Sequence, residues 1–283
     1  MNLERIGVVG AGIMGSGIAQ VCALAGFQVT LVDVAVAALD QARNGIAGGL
    51  ERQVQKGMLT AEQREESLER ISTSTDYASL ANAGLVIEAA TENLELKLRI
   101  LEQLSAQVDA QAIIASNTSS LSISQLAARV SHPERCIGLH FFNPVPLMAL
   151  VEVIRGVQTS DSCQAHTLAF AEHIGKVAIS AGNRPGFVVN RILVPMINEA
   201  IFVLQEGLAS AEDIDTGMKL GCGQPMGPLA LADLIGLDTL LAIVEAFQRE
   251  FGDPKYRPAP LLRELVAAGR LGRKSGEGFH RYP

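Results

Sequence analysis

Hydrophobic positions in the first third of the chain switch between two periods. Ile6-Gly7-Val8-Val9 is a short apolar run that ends at glycines, and Val29-Thr30-Leu31-Val32 is a second that ends at Asp33. Runs of this length between turn residues read as strands. The stretch between them, to Gly26, reads as a helix. From Ala35 to about Lys56 the apolar residues fall at helical spacing, with Leu39, Ala42, Ile46 and Leu50 on one face. Further apolar runs stand at Leu85-Val86-Ile87, Ile113-Ile114-Ala115 and Cys136-Ile137-Gly138-Leu139, separated by helix-like stretches rich in Leu, Glu, Lys and Gln. Alternation of this kind predicts an α/β fold with a parallel sheet covered on both faces.

The pattern changes near residue 183. Asn183-Arg184-Pro185-Gly186 is a turn cluster followed by a helix start, and beyond it the apolar residues keep helical spacing with no convincing strand. The expected division is residues 1–183, a doubly wound sheet domain, and 184–283, an all-helical domain. No internal repeat or low-complexity tract interrupts either.

Composition narrows the classes. At 283 residues, with 48% hydrophobic and 19% charged residues, the chain has apolar material for two packed domains and too little charge for a disordered one. A net charge of −7 argues against a nucleic-acid partner. Charge is uneven: Lys255 to Arg281 carries seven basic residues against Glu264 and Glu277, which leaves the rest at −12. The longest apolar candidate, Ile192 to Leu204, is interrupted by Pro195, Asn198 and Glu199, so no membrane span is expected. The N-terminus runs straight into a strand, and no signal peptide is expected. Four cysteines (Cys22, Cys136, Cys163, Cys222) are scattered without a CxxC pair, which speaks against a disulfide framework or a metal site and fits a reducing cytoplasm.

Candidate chemistry begins at Gly10-Ala11-Gly12-Ile13-Met14-Gly15. This GxGxxG directly follows a predicted strand and opens a predicted helix. The first Gly permits a tight turn, the second lets backbone approach a pyrophosphate, and the third lets helix and strand pack closely, as in Rossmann-type dinucleotide domains. Asp33 ends the next strand 18 residues after Gly15. A carboxylate there accepts ribose hydroxyls and repels a 2′-phosphate, which favours NAD over NADP.

A second constellation lies at Cys136-Ile137-Gly138-Leu139-His140-Phe141-Phe142-Asn143-Pro144-Val145-Pro146, followed by the strand-like Leu150-Val151-Glu152-Val153. His140 and Glu152 lie symmetrically about Pro146. A hairpin would set them opposite each other, with Cβ atoms ~5 Å apart. A glutamate on one imidazole nitrogen fixes the tautomer and suits a general base; a core salt bridge without catalysis is the competing reading. Ser116-Asn117-Thr118-Ser119-Ser120 follows a strand and falls at the carboxyl edge of the sheet, either as a ligand loop or as a cap for a helix from Leu121 to Ala128. Asn190 interrupts an apolar run, and its amide needs a partner from a neighbouring helix or from substrate.

The segments GVVGAGIMGSGIAQ, ASNTSSLSI, HFFNPVPLMALVEV, RPGFVVNR and GRKSGEGF together resemble the (S)-3-hydroxyacyl-CoA dehydrogenase family, most closely its short, single-function bacterial members. The resemblance covers nearly the whole chain. It implies an NAD-dependent interconversion of (S)-3-hydroxyacyl-CoA and 3-oxoacyl-CoA, in a cleft between an NAD-binding domain and a helical domain that forms a homodimer. It implies a catalytic pair at His140 and Glu152, with Ser119 and Asn190 at the substrate. Cofactor positions fall on Gly10, Gly12, Ile13, Met14, Gly15, Asp33, Glu92, Lys97, Ser119, Asn143 and Lys274. Substrate positions fall on Arg52, Lys56, Ser119 and Asn190. Three positions depart from the pattern: Gly49 stands for a serine, Ala149 for a common lysine and Asn183 for a common aspartate.

Rival readings differ in the residues they need. The 3-hydroxyacid and 6-phosphogluconate dehydrogenases share the GxGxMG start, but use a lysine early in the second domain, where this chain has none before Lys219. A dehydrogenase of a free acid such as L-gulonate would leave Arg52 and Lys56 idle. A non-enzymatic NAD-binding protein would not need His140, Glu152 and Asn190 together.

Overall fold

The computed structural model describes residues 3–282. The chain forms two compact units, Met1–Phe187 and Val188–Pro283. The first contains, in order, β1 (Arg5–Val9), α1 (Ile13–Leu24), β2 (Gln28–Val32), α2 (Val36–Gln55), α3 (Ala61–Glu69), β3 (Ile71–Ser74), β4 (Leu85–Glu88) and α4 (Leu94–Gln107). It continues with β5 (Ile113–Ser116), α5 (Ile123–Ala127), β6 (Cys136–Phe141), β7 (Leu150–Arg155), α6 (Asp161–His173) and β8 (Val177–Gly182).

The strands make one eight-stranded sheet in the order β3-β2-β1-β4-β5-β6-β7-β8. All neighbours are parallel except β6 and β7, which form an antiparallel hairpin. Every residue of β4, β5 and β6 is buried. Two-sided burial is why these strands read as continuous apolar runs rather than alternating ones. Alternate residues feed two cores, one on each face. Ile6, Val8, Leu85 and Ile87 pack with Ile18, Ile46 and Leu50; Val9, Val86 and Ile114 pack with Leu98, Leu101 and Leu126.

The expected strands and the helix over Ala35 to Lys56 are present, with Leu39, Ala42, Ile46 and Leu50 as the buried face of α2. The apolar pattern did not reveal β3 or β8. Both are edge strands with mostly half-buried or exposed residues, so their sequences (ISTS and VAISAG) carry no sustained hydrophobic run.

In the second unit, α7 (Val189–Gln205), α8 (Ala211–Cys222), α9 (Pro228–Ile235), α10 (Leu237–Phe251) and α11 (Pro260–Ala267) surround a core of Ile197, Ile201, Leu229, Leu240, Phe247 and Leu262. The helical character expected from Arg184 onward starts at Val189, after a turn in which Gly186 and Phe187 both have positive φ (77° and 49°). Among the described residues no helix is long and apolar enough to cross a membrane.

Two buried aspartates organise this unit. Asp215 on α8 accepts the N–H groups of Leu229 (2.8 Å) and Ala230 (2.9 Å) in the first turn of α9, and lies 2.8 Å from His280 Nε2. Asp233 on α9 accepts the N–H groups of Phe279 and His280 and the Tyr282 hydroxyl. Asp215→Ala strips two helix N-terminal donors of their acceptor. We expect it to cost roughly 2–4 kcal/mol of stability, read as a lower urea midpoint.

Candidate active site

The glycine loop is shaped by two separate demands. Gly10 has φ +100°, its N–H donates to Val32 O (2.8 Å), and a Cβ there would lie 2.5 Å from Ala90 Cα. A Cβ on Gly15 would lie 1.8 Å from Gly10 O. The fold itself needs both glycines. Gly12 is different: its φ is an ordinary −71°, and nothing lies within 4 Å of where its Cβ would be. It is the exposed N-cap of α1 and offers no side-chain cap. The vacant space stands over a helix N-terminus whose first N–H groups need an acceptor, which is the cradle a pyrophosphate fits. Ile13, 78% exposed, and the half-buried Met14 border it.

Asp33 follows β2, with Oδ2 accepting Ala11 N–H (2.8 Å) and Oδ1 accepting Ala35 N–H (3.0 Å). Those bonds fix the carboxylate beside the glycine loop, and each oxygen retains lone-pair capacity for a ribose hydroxyl. The donor set therefore fits NAD.

The loops after β4 and β5 are tied together. Glu92 Oε1 accepts Ser119 N–H (2.7 Å) and Ser119 Oγ–H (3.1 Å), and Oε2 accepts Thr118 Oγ–H (2.7 Å). The capping role weighed for the hydroxyl loop is shared: Thr118 of the loop accepts from Leu121 N–H, and Ser122, just after it, accepts from Gln125 N–H at the start of α5. Asn117 Oδ1 accepts Phe141 N–H (2.8 Å), which binds this loop to the end of β6.

Lys97, expected at the cofactor, stands in the first turn of α4. It is 1% exposed, its ammonium is paired with the fully buried Glu88, and Ser116 Oγ is 3.3 Å away. It lies beneath the loops rather than at their surface. The apolar run ending in Glu88 was read only as a strand, so this partner was missed. Asn143, by contrast, is exposed just beyond β6.

His140 and Glu152 stand opposite each other in the β6–β7 register, as the symmetry about Pro146 predicts. His140 Nδ1 lies 2.7 Å from Glu152 Oε2. Glu152 is fully buried and His140 is 6% exposed. A carboxylate partner makes Nδ1 the protonated nitrogen and leaves the Nε2 lone pair available. The Phe142 and Phe187 rings lie 4.6 and 5.7 Å from the imidazole between centroids. The hairpin turn is fixed by the buried Lys176, whose ammonium donates to Val145 O (2.6 Å) and Met148 O (2.8 Å). Burial pushes its pKa below the usual lysine value. Lys176 gave no sequence signal, and Phe187 stood only within the segment RPGFVVNR with no role; their contacts are set by tertiary packing.

Arg52 and Lys56 are exposed at the end of α2, and no ion pair among the described residues engages either. Asn183 bonds Ile123 N–H through Oδ1 and the Ser122 and Ser124 hydroxyls through Nδ2, so its departure from the family aspartate is absorbed structurally. In the second unit, Asn190 is half-buried in the first turn of α7, with no side-chain hydrogen bond among the described residues. Lys274 is paired with Asp238, whose carboxyl it holds below the usual range. Cys136, at the start of β6, is buried, which pushes its thiol up to about 12.

A glycine cradle, a ribose-side carboxylate and a glutamate-oriented imidazole on one sheet edge define an NAD-dependent oxidoreductase. The chain belongs to the 3-hydroxyacyl-CoA dehydrogenase family. Residues 5–184 match the family's NAD binding domain and residues 186–282 its C-terminal domain. The chain is 50% identical over 280 residues to a 3-hydroxybutyryl-CoA dehydrogenase of Bradyrhizobium diazoefficiens, covering 99% of this chain and 96% of that one. It is similar to the crystal structure of (S)-3-hydroxybutyryl-CoA dehydrogenase PaaH1 from Ralstonia eutropha, with TM-score 0.98, 56% identity and complete coverage of both chains. The FadB2 structure from M. tuberculosis gives TM-score 0.97 at 45% identity, again over both full chains.

The two kinds of glycine separate experimentally. Gly12→Val should melt like the unaltered protein and lose NADH binding in fluorescence titration by at least about tenfold. Gly15→Ala should lower the melting temperature, since the overpacked backbone costs about 2 kcal/mol or more.

Proposed function

We propose that the protein interconverts (S)-3-hydroxyacyl-CoA and 3-oxoacyl-CoA, with short chains such as 3-hydroxybutyryl-CoA and acetoacetyl-CoA as its substrates. The observation that carries this reading is the His140–Glu152 pair at the same strand edge as the NAD loop. The names of the relatives support the choice of thioester and chain length.

His140 takes the substrate's 3-hydroxyl proton at Nε2, because Nδ1–H is committed to Glu152. As the ring becomes cationic, the adjacent carboxylate stabilises it, and burial of the pair strengthens that attraction. Ser119, whose hydroxyl is bonded to Glu92 in the loop after β5, is assigned to the substrate on the resemblance. Asn190 offers an amide to the substrate oxygen. When bound, NAD supplies the two-electron acceptor for the hydride leaving C3. In reduction, imidazolium His140 returns the proton to the 3-oxo group.

Asp33, Glu92, Asn143 and Lys274 are assigned to the cofactor, along with the glycine loop. Arg52 and Lys56 are assigned to the phosphates of the CoA carrier, as two exposed cations without acidic partners. That observation favours a CoA thioester over a free acid such as L-gulonate. We also assign a homodimer formed through the helical domain, a cytoplasmic location and a place in fatty acid metabolism, on the resemblance.

Turnover of acetoacetyl-CoA followed by loss of NADH absorbance tests the reading, with L-gulonate and NAD as the contrasting pair. His140→Ala should lower kcat by ~10²- to 10⁴-fold while NADH still binds. Near-normal turnover by that variant removes His140 from the role, and turnover of the free acid alone removes the thioester.

A further inference from the structure

We propose that Gln20 is a hydrogen-bonding contact for the pantetheine arm of the acyl carrier, a role opened by the glycine at position 49. The proposal rests on the CoA thioester reading above. Gln20 lies within α1 and is 5% exposed. Its Nε2 is buried and has no hydrogen-bond partner among the described residues. The packing around it is apolar: Ile18, Ala19, Val21 and Cys22 of α1 share one core with Leu39, Ala42, Ile46 and Leu50 of α2. A leucine or methionine would fill such a place with no polar group to satisfy. A buried amide N–H that bonds nothing is costly, so its presence points to a partner from outside the chain.

Position 49 sets the open side of that amide. A Cβ there would stand 3.1 Å from Gln20 Oε1 and 3.6 Å from Nε2. A larger side chain would cover the amide, and a serine, which the family pattern has at this position, would bond it. With glycine, no side chain at 49 meets either end of the amide.

Gln20 also lies on a continuous track. Gly17, one helical turn earlier on α1, packs against the hairpin turn beyond His140; a Cβ at 17 would lie 2.8 Å from Val145 Cβ. Gln20 follows on the same face and meets Gly49, from which α2 leads at helical spacing to the exposed Arg52 and Lys56. A CoA thioester has the same order: the reacting acyl group, the pantetheine arm with its amides, then the phosphates. The two cations suit the phosphates. Gln20 is neutral, and a carboxamide presents a donor beside an acceptor, which matches an amide of the arm rather than an anion.

Calorimetric titration of Q20M, with NADH saturating, tests this. The ligands are CoA and adenosine 3′,5′-bisphosphate, which carries nucleotide phosphates without pantetheine. Q20M should weaken CoA binding by about fivefold or more and leave the bisphosphate within about twofold. It should melt no lower than the unaltered protein, because the donor it removes bonds nothing within the chain. Equal losses for both ligands would place Gln20 at the phosphates or in the packing of α1, and overturn the proposal. A CoA affinity within about twofold of the unaltered protein's would overturn it as well. A lower melting temperature, shared by Q20L, would give Gln20 a structural role and count against it equally. CoA binding without the selective loss removes this contact alone. No CoA binding by the unaltered protein removes the thioester reading, and the contact with it.

Discussion

The register of one antiparallel hairpin on an otherwise parallel sheet is the constraint on which the site depends. His140 meets Glu152 because β6 and β7 pair residue for residue about Pro146. A slip of one residue would send each side chain to the opposite face of the sheet and separate imidazole from carboxylate. The register is held from several directions. β5 flanks β6, β8 flanks β7 with Glu152 opposite Ile179, and Lys176 closes the turn through two carbonyls. Val145 of that turn packs so close to α1 that a Cβ on Gly17 would lie 2.8 Å from its own Cβ. The hairpin that carries His140 therefore rests on the helix that follows the glycine loop.

The remaining site groups follow from strand order. Across the sheet as β2, β1, β4, β5 and β6, the carboxyl ends present Asp33, Gly10, Glu88, Ser116 and His140 in turn. Adjacent strands are about 4.8 Å apart, so neighbouring ends lie within reach of one side chain. The direction of chain progress reverses between β1 and β4, the switch point where open α/β sheets leave a crevice. The glycine loop and Glu88 occupy the two sides of that point. No packing contact requires a glycine at Gly12, which leaves open space over the start of α1.

Legibility in the sequence tracked the kind of force involved. Buried strands and the amphipathic α2 could be read, because hydrophobic burial imposes a period. The edge strands β3 and β8 could not, because half their surface faces water and any β-compatible residue serves. The glycine loop and the His140–Glu152 pairing were legible because local spacing fixes their geometry. The partner of Lys97 was not legible, because a resemblance gives a residue type at a position, whereas the side chain's direction is set by a carboxylate nine residues earlier. Lys176 reaches Val145 across 31 positions, and Phe187 meets a ring 47 residues before it; only the assembled fold brings such pairs together.

Glu88 and Glu152 show how one residue type acquires two duties. Both are fully buried, and both hold a basic side chain beside the crevice. The partner's chemistry divides them. A lysine ammonium can only donate, and here it donates to Glu88 and Ser116, so that pair ties strand ends together. An imidazole has two nitrogens and commits one of them to Glu152, so the other keeps a lone pair while the first bond aims the ring. A carboxylate in this sheet aims a lone pair where its partner is an imidazole, and ties strand ends together where its partner is an ammonium.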